Sequence, residues 1–132
     1  MGSSQTVSVS DFGGAISAAL RDYTVEVQQK IAKAVDDTAK ETRDILKTTS
    51  PVATPDVHGY AKGWKVRYNF KDNRANAIIH AGENYRLVHL LEKGHAKRGG
   101  GRVAGIPHVS LAEGWAVQQL MNRIEDAVRS AR

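Results

Sequence analysis

Three histidines and a glutamate, His89, Glu92, His95 and His108, fall within one short stretch of the chain. Imidazole and carboxylate groups are what a divalent-cation site uses, and a histidine-centred nuclease would draw on the same set. The spacing argues against that chemistry. No His-x3-His pair lies on one helix, and no cysteine or aspartate is spaced to help. His89 reads as the edge of a short helix, and His108 as a hydrogen-bonding partner of a helix end or hairpin. Gly94 to Gly105 invites comparison with a phosphate cradle but lacks the Gly-Lys-Ser/Thr step into a helix, and no dinucleotide fingerprint is present. Ser50, Ser110 and Ser130 have no nucleophile-elbow context. No catalytic residue, metal or cofactor is expected.

What remains is charge. The chain carries a net +5 over 132 residues. Residues 1–66 hold eight Lys/Arg and eight Asp/Glu, whereas residues 67–132 hold eleven against six, so the excess is all in the second half. Lys93, Lys97, Arg98 and Arg102, with His95 among them, form a run without a carboxylate. Such a run suits nucleic acid or an acidic protein face, and equally a solvated loop. Its three adjacent glycines give backbone freedom, so residues 95–105 are expected to be a flexible loop.

The elements around this arm follow from periodicity. Apolar or small residues at Ile16, Leu20, Tyr23, Val27, Ile31, Ala34, Thr38, Thr42 and Ile45 keep one stripe of an α-helix. The stripe predicts a helix from about Asp11 or Gly14 to Lys47, stopped at Ser50-Pro51. It would be roughly 50 Å long, too long for the domain unless it packs on a neighbouring subunit or breaks. Lys62 to Phe70 alternates as a strand, Lys71-Asp-Asn-Arg74 as its turn, and Ala75 to Ala81 as the return strand. Tyr85 to Lys93 reads as a short helix stopped by Gly94. Ser110-Leu-Ala-Glu113 reads as a capping box opening the last helix, with Leu111, Trp115, Leu120, Ile124 and Val128 as its stripe. Trp64, Tyr68, Leu90, Leu91, Trp115 and Ile124 are expected in one core.

The fold class expected is α+β. It is a single domain over 1–132, with residues 1–10 flexible and two long helices on a small antiparallel sheet. The chain is large enough for a modest core. It shows no signal peptide and no run able to span a bilayer, so no membrane partner is expected.

The order of these features resembles the minor tail-component proteins of long-tailed bacteriophages, the gene-product-ten type of tail-completion, neck or head–tail joining protein. The features are the long helix, Thr49-Ser50-Pro51-Val52 with Gly59, and the hairpin with Gly63-Trp64. Tyr85-Arg-Leu-Val-His-Leu-Leu-Glu92-Lys-Gly94-His95, the basic arm, and Pro107-His108 before a terminal helix complete the set. The resemblance runs from about residue 14 to 130. It departs at Gly94-His95, often Gly-Thr in the family, and at Leu111-Ala112, where proline often precedes the helix's first alanine. It implies a non-enzymatic virion protein that assembles with itself into a ring around the DNA passage. Its implied partners are the head connector and tail tube or tail terminator proteins, with non-specific contact to phage DNA. The arm residues Lys93, His95, Lys97, Arg98 and Arg102 would face the assembly or the DNA. Read from the residues alone, the alternative is a small nucleic-acid-binding protein using residues 93–102. Against it, no stacking platform and no helix-turn-helix pattern are evident.

Overall fold

The structure, a computed structural model, describes residues 24–68 and 77–130. Helix α1 runs Val25–Thr49, not from Asp11 or Gly14. Thr24 is extended at φ −66° and ψ 159°, and its Oγ1 accepts from the Val27 amide at 3.3 Å. A threonine hydroxyl that bonds the backbone locally offers the chain an alternative to helix, and here the cap interrupts the stripe. The helix is therefore about 37 Å long, the length of a compact domain. Ile16, Leu20, Tyr23 and the expected first turns lie outside the described residues. Val27, Ile31, Ala34, Thr38 and Thr42 are buried as the stripe predicts, and Leu46 takes the place of Ile45 as its last buried member.

Helix α2 (Val88–Lys93) is short and α3 (Val109–Arg129) is long. Helix α3 lies antiparallel on α1: Ala112 meets Leu46 in one cluster, and Ala127 meets Val27 and Ile31 in another. The polar members of the α1 stripe are satisfied, Thr42 within its own helix and Thr38 across this seam. Thr42 Oγ1 donates to the Thr38 carbonyl at 2.6 Å, and Arg123 Nη1 on α3 donates to Thr38 Oγ1 at 2.8 Å. Arg123 also pairs with Glu41 at 2.6 Å, while Asp37 pairs with Lys33 at 2.6 Å. Asp37 and Glu41, one turn apart on α1, are thus each paired with a cation instead of facing each other uncompensated.

Strand β1 (Lys65–Tyr68) pairs antiparallel with β2 (Ala77–His80), in the register Val66–Ile79 and Tyr68–Ala77. Strand β1 starts later than the expected Lys62, and β2 ends before the expected Ala81. A 3-10 turn over Ala61–Gly63 takes the start of the expected strand. The expected hairpin turn at 71–74 and Phe70 lie outside the described residues. A second 3-10 turn, Gly82–Leu87, occupies the start of the helix expected at Tyr85. The basic segment, expected as a flexible loop, contains a second antiparallel pair, β3 (Gly94–Ala96) with β4 (Arg102–Ala104). The α+β class stands, with two small ribbons among the described residues.

The core is two clusters. Leu46, Tyr60, Trp64, Ala81 and Ala112 form the larger, with Leu87, Val88 and Leu91 packed on it. Val27, Ile31 and Ala127 form the smaller, with Ile124 and Val128. The single expected core is therefore corrected. Ile124 falls in the smaller cluster, Leu90 is 37% exposed, and Trp115 is half-buried and in neither. Tyr68 donates its hydroxyl to Asp36 on α1. Trp64, 4% exposed, donates Nε1–H to Ser50 Oγ at 2.8 Å, which ties the sheet to the end of α1. Trp64→Ala is expected to cost about 3–5 kcal/mol, and Trp115→Ala clearly less. Denaturant midpoints measure both, and equal losses would refute this division of the core.

Candidate functional site

Helix α3 begins at His108, a residue whose side chain makes no capping bond to its own helix. The expected capping box does not form, because Ser110 lies inside the first turn. The first amides of α3 find their acceptor on another element. Glu92 Oε1 accepts from the His108 and Val109 amides, both at 2.8 Å, and Oε2 accepts from the Ser110 amide at 2.9 Å. A helix N-terminus presents orphan donors and a positive dipole end, so a carboxylate placed there is strongly held. Burial alone pushes the Glu92 carboxyl up and is the largest single influence. The amides of His108, Ser110 and Val109, with the Ser110 hydroxyl, together outweigh it and bring the group down to about 2.

His108 seals the other side of this junction. It is 1% exposed. Nδ1 lies 2.7 Å from the Ile106 carbonyl and 3.0 Å from Glu92 Oε1, both acceptors, so the hydrogen of a neutral ring belongs on Nδ1. Nε2 is then free to accept from the Tyr60 hydroxyl at 2.7 Å. Burial of Tyr60, with the nearby Glu92 charge, pushes its phenol up to about 12, so it remains a donor. The Tyr60 ring also meets Trp64 and His108 edge-on, at 5.7 and 5.6 Å between centroids. The junction thus continues directly into the larger core cluster.

The basic arm springs from this junction. Gly94 ends α2 at φ 82°, in the region that favours glycine, and a Cβ there would overlap the Val103 carbonyl oxygen. A Cβ on Gly105 would overlap the Glu92 carbonyl oxygen. The two glycines let outgoing and returning backbone cross in contact, and the Ile106 amide donates to the Leu91 carbonyl at 2.8 Å just behind them. At the tip, the Lys97 amide donates to the Gly101 carbonyl at 2.9 Å, with Gly100 and Gly101 at φ 101° and 83°. The glycine run closes a hairpin. From His95 to Ala104 every residue is exposed.

The five candidate residues are placed as follows. Lys93 is the exposed last residue of α2. His95 lies on β3 opposite Val103, and Lys97 and Arg98 lie at the tip. Arg102 on β4 donates from Nη2 to the Lys93 carbonyl at 2.8 Å, so it also braces the arm. None of Lys93, Lys97, Arg98 and Arg102 has an ion-pair partner among the described residues. His89, Glu92, His95 and His108 are not brought together around a common point. Among the described residues no group of three His, Cys, Asp or Glu side chains is disposed to hold a metal ion, and no helix is long and apolar enough to cross a membrane.

The family model described as "Bacteriophage HK97-gp10, putative tail-component" matches residues 14–94. The chain belongs to this family. No curated protein and no solved structure matches it. The match to the phage tail-component family covers α1, the β1–β2 ribbon and α2, and stops at Gly94. The arm and α3, which the sequence resemblance also took in, lie beyond the matched residues. In this tail component Glu92 is therefore the last carboxylate of the matched segment, and it holds the first turn of the unmatched one. The sequence-based reading missed that role, although a helix starting after Pro107-His108 without a capping side chain calls for an acceptor from elsewhere.

Because folding lowers the Glu92 pKa below its ordinary value, 4.5, its stabilisation is present above pH 4.5 and lost as pH falls towards 2. Glu92→Gln is expected to lower stability at pH 7 by about 2–3 kcal/mol. It should also flatten the loss of stability between pH 5 and 2, as read by thermal midpoints across that range. A variant as stable and as acid-sensitive as the parent would refute the clamp.

Proposed function

We propose that this tail component acts at the head–tail joining or tail-completion region, as a subunit of a ring around the DNA passage. The basic arm would be its assembly contact. The observation that carries the reading is the combination of family membership with an arm that is exposed throughout, cationic, and anchored at its base by Glu92, Gly94 and Gly105. An exposed arm without carboxylates gains little for the fold it projects from. Its partners would be other copies of the chain together with head connector, tail tube or tail terminator proteins. Assembly would take place in the host cytoplasm, with the finished protein resident in the virion. The family description names no catalytic activity, and the arm offers an electrostatic role.

That Lys97 and Arg98 have no ion-pair partner among the described residues also favours a second reading, in which the arm touches DNA phosphates without reading sequence. The two readings differ in what they require of the isolated protein. Assembly requires self-association or binding to a connector or tail-tube protein. DNA contact requires binding by the monomer that weakens steeply with salt.

Light scattering on the purified protein, alone and with a connector or tail-tube protein, is expected to show a closed oligomer. Lys97→Ser with Arg98→Ser should leave the thermal midpoint nearly unchanged, weaken that assembly, and reduce its dependence on salt. Arg102 is left intact because it braces the arm. If the double variant unfolds, the tip is structural. If it assembles normally at every salt concentration, the charges only keep the arm soluble.

A further inference from the structure

We propose that the β3–β4 arm of one copy seats in an apolar groove between α1, β2 and α3 of the next copy, with Lys97 and Arg98 meeting Glu113 at the groove's edge. This inference rests on the ring reading above and names the interface that would build it. The groove holds about 290 Å³ and is lined by Leu46, Trp64, Ile78, Ile79, Ala112 and Ala116. Ala112 and Ala116 stand one helical turn apart on α3, so their small side chains leave the helix surface open. Protein interiors are close-packed, and the described residues leave an apolar hollow of this size unfilled.

Charge complementarity points to the occupant. Every carboxylate of α1 has a cationic partner: Glu26 with Lys30, Asp36 with Lys40, Asp37 with Lys33, Glu41 with Arg123 and Asp44 with Arg43. On α3, Glu125 and Asp126 pair with Arg129. Among the described residues Glu113 is the one carboxylate of these two helices without a cation, and it lines the groove. The arm shows the converse: exposed cations at its tip, no carboxylate, and no ion pair among the described residues. Its ribbon also has one face free to dock. Arg102 and Ala96 share the face turned back to Lys93, whereas His95 and Val103 share the other, and both are exposed. Val103 supplies the apolar contact that the groove lacks. Arm and groove are different patches of the same chain, so the contact is heterologous, the class that closes into rings.

The chain has no cysteine, which gives a clean cross-linking background. Val103→Cys and Ala116→Cys are made separately in the full chain, mixed and oxidised. The expected result is a disulfide dimer linking 103 to 116 in the mixture and not in either variant alone. Lys97→Glu with Arg98→Glu, and separately Glu113→Lys, should each weaken self-association about tenfold or more while leaving the thermal midpoint unchanged. All three reversals in one chain should restore it. If the protein assembles but the mixture does not cross-link and the reversals have no effect, the interface is wrong and the ring reading stands. If reversing the arm abolishes DNA binding and leaves self-association untouched, the arm belongs to DNA and the inference falls. A chain that stays monomeric at every concentration and beside connector or tail-tube protein overturns both.

Discussion

The Glu92 carboxylate at the start of α3 is the contact on which the rest of the arrangement depends. It replaces water as acceptor for three consecutive amides, and it does so from the end of a different helix. That fixes α3 relative to α2 by charge-assisted bonds, which are shorter and stronger than neutral ones. Fixing α3 brings Ala112 onto Leu46 and Trp64 and closes the larger cluster. It also brings the Ile106 carbonyl and Tyr60 around His108, a ring whose two nitrogens both find partners. Without the carboxylate, the part-buried amides of His108 and Val109 would lose their acceptor, and a buried donor without an acceptor costs more than a made bond returns.

The same contact explains how an exposed arm can have a definite direction. A ribbon two strands wide, standing away from the core, has little to hold it. Here its ends are fixed where backbone crosses backbone at Gly94 and Gly105, one residue beyond Lys93 and one before Ile106. The Arg102 guanidinium ties the returning strand to the Lys93 carbonyl. Rigidity at the base leaves the tip free to carry charge, because Lys97 and Arg98 are not needed by anything below them. An arm aimed in advance loses less conformational freedom on docking than a loose loop of the same composition.

Much of this was legible in the sequence, and what was not has identifiable physical causes. The α1 stripe, the strand alternation with Trp64 inward, Gly94 as a stop and the α+β class all rest on local periodicity or glycine geometry, which a single sequence displays. The break at Thr24 was not located because the stripe continues past it, while the cap that interrupts it depends on one hydroxyl. The strand pair in the arm was not anticipated because glycine reports permission for positive φ and not its use. Gly100 and Gly101 use it to close a turn. The capping box at Ser110 was a local pattern overridden by a tertiary one. Glu92, sixteen residues ahead of His108, supplies the acceptor first. Trp115 was placed in the core by helical spacing alone, which cannot tell how far α1 covers the face of α3.

The family match ends at Gly94, two residues after the carboxylate whose three amide donors all lie beyond it. The matched segment therefore carries the acceptor of a clamp and the following segment carries the donors. The scaffold closes only when both are present, since Val109 and Ala112 complete the cluster built by Leu46, Tyr60 and Trp64. Between the two halves stands the arm, bounded by glycines whose positions the clamp dictates. Nothing from His95 to Gly101 reaches back to that clamp with its side chain, and Arg102 does so only through its guanidinium. The tip can change its charge or its length without altering how α2 holds α3. The fold is thus divided into a part held by packing and an exposed part that packing does not hold. In this chain the second part is cationic.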